Sequence, residues 1–442
     1  MSIIVTKFGG SSLASGSQME KVKNILMSDR NRHYVVPSAP GKRFDGDSKV
    51  TDLLLKLNQD IEFGGDYMSV FEEITERFVS IKEELGLDID IEARLKDFLN
   101  ELLNGAGAEY SASRGEYFNG LLLASYLGWD FIDAKDVIKF DKRGKYSEEV
   151  SLPLLRKELK KHEYAVIPGF YGSLPDGRIH TFPRGGSDIS GAIVAAGCSA
   201  DLYENWTDVS GFLMADPRIV KNPKSIDFVT YRELRELSYM GAQVLHEDSI
   251  FPVYNAAIPI NVRNTNDPSA KGTMIVPMIE HEEDRKGITG IAGKKNFTII
   301  SIEKNGMNSE LGFGRKVLSC IEKYGVSFEH MPSGIDTLCV VLQDSSIEDT
   351  LHDLVDDIHR ICKPDSIEVF SNIALIATVG RGMIRQIGTA ATIFGALAEA
   401  KINIRMIDQG SSEMNIIVGV GNNDFDRAIR SIYEAFIRQM DE

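Results

Sequence analysis

The sequence predicts an α/β protein with a mainly parallel sheet, followed by a pair of small α+β modules. Three observations support this prediction. Strand-like apolar runs alternate with helical patterns over residues 3–262, two paired-glycine segments stand where a strand or loop turns into a helix, and an internal repeat follows residue 290. Strands that alternate with helices favour a parallel sheet covered by helices on both faces.

The composition is that of an ordinary globular protein of two or three domains. The chain has 442 residues, of which 43% are hydrophobic and 26% are charged. A net charge of −16 argues against a nucleic-acid partner, whose usual footprint is basic. No apolar run approaches the roughly 18 residues of a membrane span, and the chain begins in a strand-like segment rather than a targeting peptide. We therefore expect a cytoplasmic protein that does not bind membranes.

The four cysteines do not have the spacing of a metal site. Cys198, Cys320, Cys339 and Cys362 all lie in apolar contexts. Such residues behave as small buried hydrophobes in a reducing compartment, which agrees with a cytoplasmic location.

Six apolar runs are the predicted strands of the first domain: Ile3–Thr6, Tyr34–Val36, Phe131–Ile132, Tyr164–Ile167, Asp201–Trp206 and Pro259–Val262. The first predicted helix can be capped by Ser15 or Ser17, and its apolar residues Met19, Val22, Ile25 and Leu26 share one face. Residues 52–104 have a helical period almost throughout. We expect these residues to form helices that flank the sheet.

A charged segment, His-Glu-Glu-Asp-Arg at 281–285, is the predicted domain linker, and an internal repeat follows it. A shift of 76 residues places Thr298–Ile302 on Ala374–Thr378, Val326–Phe328 on Ile402–Ile404 and Cys339–Leu342 on Asn415–Val418. Each copy predicts a strand, a glycine turn, a helix, a strand, a hairpin-like turn and a strand. Two copies predict a pair of modules that pack together, or alternatively a duplicated spacer without a ligand.

The first glycine segment is Lys7-Phe8-Gly9-Gly10-Ser11-Ser12, directly after an apolar run. Paired glycines allow successive backbone N–H groups to approach an anion, and Lys7 can place its ammonium over the same anion. Phosphoryl transfer requires such charge neutralisation together with alignment of the reactants. The simpler alternative is a tight turn beside a solvated lysine.

The second segment is Arg184-Gly185-Gly186-Ser187-Asp188, directly before a small-residue helical pattern. The Arg184 guanidinium matches a carboxylate, Ser187 is the predicted helix cap, and Asp188 lies in the first turn. Glu116, in Ser-Arg-Gly-Glu at 113–116, can meet an ammonium group. Without a ligand, these features are a capped helix with a surface arginine and a solvated glutamate.

Together with the segment from Trp206 to Arg218, with Asn261-Val-Arg-Asn-Thr265 and with Gly272-Thr273, these motifs closely resemble the aspartokinase family. The resemblance covers the whole chain. It implies an amino acid kinase (carbamate kinase-like) three-layer αβα sandwich at 1–284, followed by two ferredoxin-like ACT modules at 285–371 and 372–442. In this family the first module is inserted within the second.

The resemblance also implies an activity. ATP would phosphorylate the β-carboxylate of L-aspartate, with Mg²⁺ arriving on the ATP and no protein metal site, giving 4-phospho-L-aspartate for lysine, threonine and methionine synthesis. No general base is needed, because that carboxylate is ionised at neutral pH. Lys7 and Asp188 would be catalytic. The implied aspartate site is Ser38, Thr51, Glu116, Phe170, Arg184 and Ser187. The implied nucleotide site is Lys7, Gly9, Gly10, Ser11, Thr207, Asp208, Leu213, Arg218 and Gln243.

Two positions depart from the family pattern. Gln243 stands in Gly-Ala-Gln-Val-Leu-His where the family commonly has a lysine that contacts nucleotide phosphates, and glutamine cannot neutralise an anion. Pro183 stands where a glycine often precedes the arginine motif. Two alternatives to an aspartate kinase remain: a related kinase acting on glutamate or a nucleotide monophosphate, and an amino-acid sensor with an inactive kinase domain.

The ACT modules imply an effector. The matching positions of the lysine-inhibited relatives are Met307, Ser309, Phe313, Gly314, Glu329 and Ser333. Lysine is the first expectation and threonine the second, with a homodimer or dimer of dimers formed through the ACT modules. The alternative for these six residues is turn formation and core packing.

Overall fold

The computed structural model describes residues 2–183, 185–242, 250–278 and 287–441. Contacts divide the chain into two compact units. The first comprises residues 1–212, 225–231 and 243–279, and the second comprises residues 213–224, 232–242 and 280–442. Arg184, Gln243 and the predicted linker at 281–285 lie outside the described residues.

The first unit contains an eight-stranded sheet and a hairpin. The strands are β1 Ile4–Phe8, β2 Arg32–Pro37, β3 Asp130–Phe131, β4 Ala165–Val166, β7 Leu202–Thr207, β8 Phe228–Thr230, β9 Ile260–Asn264 and β10 Thr273–Val276, and the hairpin is β5 Tyr171–Ser173 with β6 Ile179–Thr181. The sheet order is β3-β4-β2-β1-β7-β9-β10-β8. Pairs from β3 to β9 are parallel, whereas β10 is antiparallel to β9. The predicted mainly parallel sheet is confirmed.

Helices cover both faces of this sheet: α1 Gly16–Met27, α2 Val50–Phe63, α3 Tyr67–Glu84, α4 Ile91–Leu103, α5 Ala108–Leu127, α6 Ala134–Val137, α7 Glu148–Leu159, α8 Gly186–Cys198 and α10 Phe251–Asn255. Tyr203 and Trp206 lie three residues apart in β7, so their side chains point to opposite faces. The Tyr203 hydroxyl donates to the Asp188 carbonyl in α8, while Trp206 belongs to the core formed with α1–α5. The predicted cap Ser15 accepts from the Gln18 N–H.

The second unit contains a five-stranded antiparallel sheet. Its strands are β11 Gly290–Glu303, β12 Thr337–Gln343, β13 Ser366–Val379, β14 Met406–Asp408 and β15 Asn415–Gly421, in the order β12-β11-β13-β15-β14. Its helices are α11 Phe313–Lys323, α12 Asp344–Ile347, α13 Leu351–Cys362, α14 Thr389–Glu399 and α15 Phe425–Asp441. Most of α9 Tyr231–Tyr239 also belongs to this unit.

The internal repeat is visible in the structure, with two differences. A shift of 76 residues carries β11 onto β13 and α11 onto α14, since both ends of each element match. The predicted strands at Val326–Phe328 and Ile402–Ile404 do not form. The first copy makes only isolated bridges at His330 and Ser333, and the second forms β14 at Met406–Asp408 instead. The last strand of the second copy is displaced by two further residues, which preserves its buried face because the side-chain period of a strand is two.

The two modules share their central strands. The first part of β11, Gly290–Lys294, pairs with the end of β13, whereas Phe297–Glu303 pairs with β12 and with the beginning of β13. Register shifts separate these parts of β11. This pairing agrees with an arrangement in which the first module is inserted within the second. The domain boundaries at 284 and 371 stay a prediction.

Among the described residues, no helix is both long and apolar enough to cross a membrane. All four cysteines are free thiols. Cys320 and Cys362 are buried as expected, whereas Cys198 and Cys339 are only partly buried.

Candidate functional site

A cavity of about 680 Å³ in the first unit collects most of the predicted site residues. It lies where β1, β2 and β7 end, the edge at which open parallel sheets bind ligands. The predicted residues that line it are Lys7, Gly9, Gly10, Ser11, Ser38, Thr51, Glu116, Phe170, Ser187, Asp188, Thr207 and Asp208.

Lys7 and Asp188 form a buried ion pair at this cavity. Their Nζ and Oδ1 atoms lie 2.6 Å apart, and the two side chains are 8% and 19% exposed. Asn205, which is paired with Lys7 in the sheet, donates from Nδ2 to the same Asp188 oxygen at 2.7 Å. The Asp188 carboxylate therefore holds the Lys7 ammonium at the end of β1, so that its positive charge faces the cavity.

The glycine turn after β1 offers fewer N–H groups than the sequence suggested. The Gly9 N–H donates to the Trp206 carbonyl at 3.0 Å, so it is not available to an anion. Gly10 begins a 3-10 turn that extends to Leu13. The N–H groups of Gly10 and Ser11 have no acceptor among the described residues, and both residues line the cavity. These two donors remain for an anion.

Main chain from the β2–α2 loop closes over this turn. The Gly41 N–H donates to the Gly10 carbonyl at 2.8 Å. A Cβ at Gly10 would lie 2.9 Å from the Ala39 carbonyl oxygen, closer than a side chain tolerates. The pair of backbones can meet only because both residues are glycine.

The N-terminus of α8 forms another wall. The helix begins at Gly186, and its cap is Gly185, whose φ of 77° favours glycine. The prediction that Ser187 caps this helix is wrong, because Ser187 is already its second residue. Its hydroxyl instead donates to Glu116 Oε1 at 3.4 Å. Asp188 lies in the first turn as predicted, where the helix dipole stabilises a carboxylate.

Glu116 is buried rather than solvated. Its Oε1 atom accepts from the Ser187 hydroxyl, while Oε2 has no hydrogen-bond partner among the described residues. Burial raises the pKa of this carboxyl to about 8. A buried acceptor that lines a cavity and lacks a donor is suited to an ammonium group.

Ser38, Thr51 and Phe170 line the cavity between these groups. Phe170 has a φ of 76°, unusual for a bulky residue. Its N–H donates to Ser190 Oγ at 2.9 Å, and its carbonyl accepts from the Phe182 N–H at 2.8 Å. These bonds hold the aromatic ring at the cavity wall.

The predicted nucleotide residues are divided between the units. Thr207 and Asp208 line the cavity, with the Thr207 hydroxyl donating to Asp208 Oδ1 at 3.1 Å. Leu213 and Arg218 belong to the second unit, where Arg218 is exposed and paired with Asp216 at 2.6 Å. The cavity thus contains only part of the predicted nucleotide set.

Sequence reasoning missed Asn205 and the basic loop after β2. Asn205 directly precedes the Trp206 motif and is paired with Lys7 in the sheet. Its position next to that motif is the signal in the sequence that could have identified it. Lys42, Arg43 and Lys49 also line the cavity. The buried Asp47 anchors their loop through an ion pair with Arg77, with 2.7 Å between Oδ2 and Nη2. Hydrogen bonds from Arg43 and the charge of Arg77 hold the pKa of the Asp47 carboxyl far below its usual range.

No group of three or more His, Cys, Asp or Glu side chains in the described ranges has the geometry of a metal site. The cavity is lined by three lysines, Arg43 and backbone donors, together with the acidic residues Asp45, Glu116, Asp188 and Asp208. The cations and backbone donors of this set fit an anionic ligand.

The predicted effector residues all belong to the second unit. Met307 and Phe313 are buried in the core of the first module, which agrees with a packing role, whereas Ser309 and Ser333 are exposed. Glu329 accepts a hydrogen bond from the Tyr239 hydroxyl. Gly314 lies in the first turn of α11.

Comparison with known proteins agrees with this arrangement. Residues 2–264 match the amino acid kinase family, and residues 376–436 match the ACT domain. Aspartokinase 3 of Bacillus subtilis is 38% identical over 98% of both chains.

Two crystallised enzymes match the whole fold. The aspartate kinase of Clostridium acetobutylicum is 54% identical, with a TM-score of 0.91 over 99% of this chain and 100% of its own. Escherichia coli aspartokinase III is 26% identical. With aspartate and ADP it has a TM-score of 0.75 over 98% of this chain and 100% of its own. With lysine and aspartate the TM-score is 0.74 over 98% and 99%. With a kinase fold, a buried Lys7–Asp188 pair and ACT modules in one chain, this protein belongs to the aspartokinase family.

Proposed function

We propose that the chain transfers the γ-phosphoryl group of ATP to the β-carboxylate of L-aspartate, giving 4-phospho-L-aspartate and ADP. The observation that carries the proposal is one cavity lined by both the Lys7–Asp188 pair and the unpartnered Oε2 of Glu116. The Lys7 ammonium can neutralise a phosphoryl group, and Glu116 Oε2 can accept a hydrogen bond from an α-ammonium group. The product would enter lysine, threonine and methionine synthesis in the cytoplasm.

In this proposal the substrate's charges select the residues. Glu116 binds the α-ammonium, Arg184 binds the α-carboxylate, and Ser38, Thr51, Phe170 and Ser187 enclose the carbon chain. The β-carboxylate then points toward Lys7 and the free N–H groups of Gly10 and Ser11. Alignment and charge neutralisation are the main requirements of phosphoryl transfer, and the nucleophile needs no base because it is already ionised.

ATP is proposed to enter as its Mg²⁺ complex. Gly9, Gly10, Ser11, Thr207 and Asp208 would contact it from the first unit. Leu213, Arg218 and Gln243 stay predicted nucleotide residues. Magnesium usually keeps phosphate and water ligands and takes few from protein. Asp188 and Asp208 are the carboxylates that we propose to face it from the cavity.

Acyl phosphate trapping tests the reaction. With ATP, Mg²⁺ and hydroxylamine, we expect hydroxamate formation with L-aspartate and not with L-glutamate. Equal signal with glutamate would overturn the substrate assignment. No signal with either amino acid, in a chain that still binds ATP, would identify an inactive kinase domain.

The pH dependence of aspartate binding tests the role of Glu116. Because burial places the pKa of Glu116 at about 8, this carboxyl is mostly protonated at lower pH and must release its proton to meet an ammonium. We expect kcat/KM for aspartate to rise with pH up to about 8, at most about tenfold per unit, and then to level off. Initial rates between pH 6 and 9 measure this profile.

Glu116→Gln is the matched variant, since it retains the shape and removes the titration. We expect its profile to be flat over this range, with an aspartate KM roughly 10- to 100-fold higher at pH 8, the range expected for a lost charge-assisted hydrogen bond. A wild-type profile without the rise, or the same rise in Glu116→Gln, would remove this glutamate from the aspartate site.

We further propose that lysine inhibits the enzyme through the ACT modules, with threonine as the second candidate, in a homodimer or dimer of dimers. The lysine complex of the Escherichia coli relative supports this choice. Met307, Ser309, Phe313, Gly314, Glu329 and Ser333 would form the pocket, with Glu329 facing the ligand ammonium. An effector acts by binding one arrangement of the enzyme better than another.

Substitution of Glu329 tests this pocket. We expect Glu329→Gln to raise the lysine concentration for half-inhibition about tenfold or more, because a charged partner of the ligand is lost, while kcat without lysine stays near that of the parent. Glu322→Gln, an exposed change on α11, is the control. Inhibition curves that are the same in all three proteins would exclude Glu329 from the effector site.

A further inference from the structure

A second cavity in the first unit, of about 970 Å³, shares no lining residue with the first. It surrounds the N-terminus of α5 and is bounded by α4 and by the β5–β6 turn. The partly buried Tyr110 and Tyr117 contribute aromatic surface to it, backed by the buried Phe98 and Phe118. None of the residues assigned to aspartate, ATP or an effector contributes to it.

Arg114 lines this cavity and is 5% exposed. Its Nε donates to Ser113 Oγ at 3.1 Å, and its guanidinium lies over the rings of Tyr110, Tyr117 and Tyr171 at 4.6, 4.4 and 5.2 Å. Its Nη2 is buried and has no hydrogen-bond partner among the described residues. A buried charged donor without an acceptor is costly, and the acceptor that best matches a guanidinium is a carboxylate.

The charges around the cavity balance only when Arg114 is counted. Three further cations accompany Arg114, and four carboxylates face them: Arg94, Lys135 and Arg178, with Asp97, Glu101, Glu109 and Asp133. A simple anion would meet no net positive field here. A zwitterion satisfies Arg114 and the acidic rim together, and the aromatic floor suits an apolar side chain.

We propose that this cavity is a second amino-acid site, which binds an apolar α-amino acid through the Arg114 Nη2 atom. The ligand carboxylate accepts from Arg114, its ammonium faces the acidic rim, and its side chain packs against Tyr110 and Tyr117. The site belongs to the first unit alone and is independent of the ACT modules.

Helix α5 connects the second site to the first. Arg114 and Glu116 are two residues apart, about 200° around an α-helix, so they face opposite sides and line different cavities. A ligand that holds Arg114 also restrains the helix turn that carries Glu116. Occupancy is therefore expected to change the aspartate KM more than kcat.

Binding to the full-length chain tests the proposal without an activity assay. We expect saturable binding of L-phenylalanine by equilibrium dialysis and a matching rise in Tm. Phenethylamine and 3-phenylpropionate, which lack the carboxylate and the ammonium respectively, should each bind more weakly. Arg114→Met should lower phenylalanine affinity about tenfold or more, the range of a lost charge-assisted bond, whereas Arg156→Met on α7 should not.

A second variant keeps the test valid if Arg114→Met fails to fold. The double variant Asp97→Asn/Glu101→Gln removes negative charge from the rim, so it should reduce the preference for phenylalanine over 3-phenylpropionate. Glu329→Gln should retain phenylalanine binding, which separates this site from the ACT pocket. Absent binding of phenylalanine, undiminished binding in Arg114→Met, or dissociation of an oligomer by that substitution would overturn the proposal.

Discussion

Replacing Lys7 with methionine is expected to lower kcat for aspartate phosphorylation by about a thousandfold or more, the scale on which single groups that stabilise transition-state charge contribute. The Lys7 side chain is 8% exposed and forms an ion pair with Asp188, so its ammonium is already in place before the substrate binds. Methionine keeps most of the length of the side chain and removes the ammonium group. Steady-state rates with saturating ATP and aspartate measure the loss.

The control for Lys7→Met is Lys56→Met, a change of the same kind at an exposed position of α2. We expect it to keep kcat within about twofold, since isolated surface substitutions have small effects. If Lys7→Met retained more than a tenth of the parent kcat while folded, the lysine would not be the group that neutralises the phosphoryl charge.

Asp188→Asn is expected to lower kcat by about a hundredfold and to lower Tm as well. The change leaves the Lys7 ammonium without its counter-charge, and an uncompensated buried charge costs about 3–5 kcal/mol. It also disturbs the Asn205 hydrogen bond that fixes the carboxylate. Single-turnover phosphorylation and thermal unfolding together separate the loss of chemistry from the loss of stability.

The double variant Lys7→Met/Asp188→Asn distinguishes a coupled pair from two independent residues. If Asp188 acts by positioning Lys7, the double variant should be no slower than Lys7→Met and should recover part of the Tm, because no unpaired charge remains. Multiplied rate losses in the double variant would mean that Asp188 acts on the reaction separately.

The sequence predicted the first unit well because its signals are local. Apolar runs such as Tyr34–Val36 and the helical period of 52–104 each reflect burial of one continuous segment. The Lys7 and Asp188 motifs are also local, and β1 and α8 bring them together through the parallel topology. The 76-residue repeat is retained in β11, β13, α11 and α14 because the two copies bury side chains at equivalent positions.

The remaining features depend on contacts distant in the sequence. Val326–Phe328 has strand-like residues but forms no strand, since only isolated bridges at His330 and Ser333 join this segment to β12. The residue type of Ser187 predicts a helix cap, whereas Gly185 takes that position and the Ser187 hydroxyl donates to Glu116. The Asn205–Asp188 bond depends on sheet register, which no single segment determines.

The contact between Gly10 and Gly41 has a consequence for how substrate range can evolve. A Cβ at Gly41 would lie 2.6 Å from the Gly10 carbonyl carbon, so this wall of the cavity is main chain on both sides and has no side chain to shorten. The loop behind it is anchored by Asp47 and Arg77. A longer acid can gain room here only if the loop changes its path, so we expect insertions and deletions between residues 41 and 49, rather than point substitutions, to separate relatives of different chain-length preference.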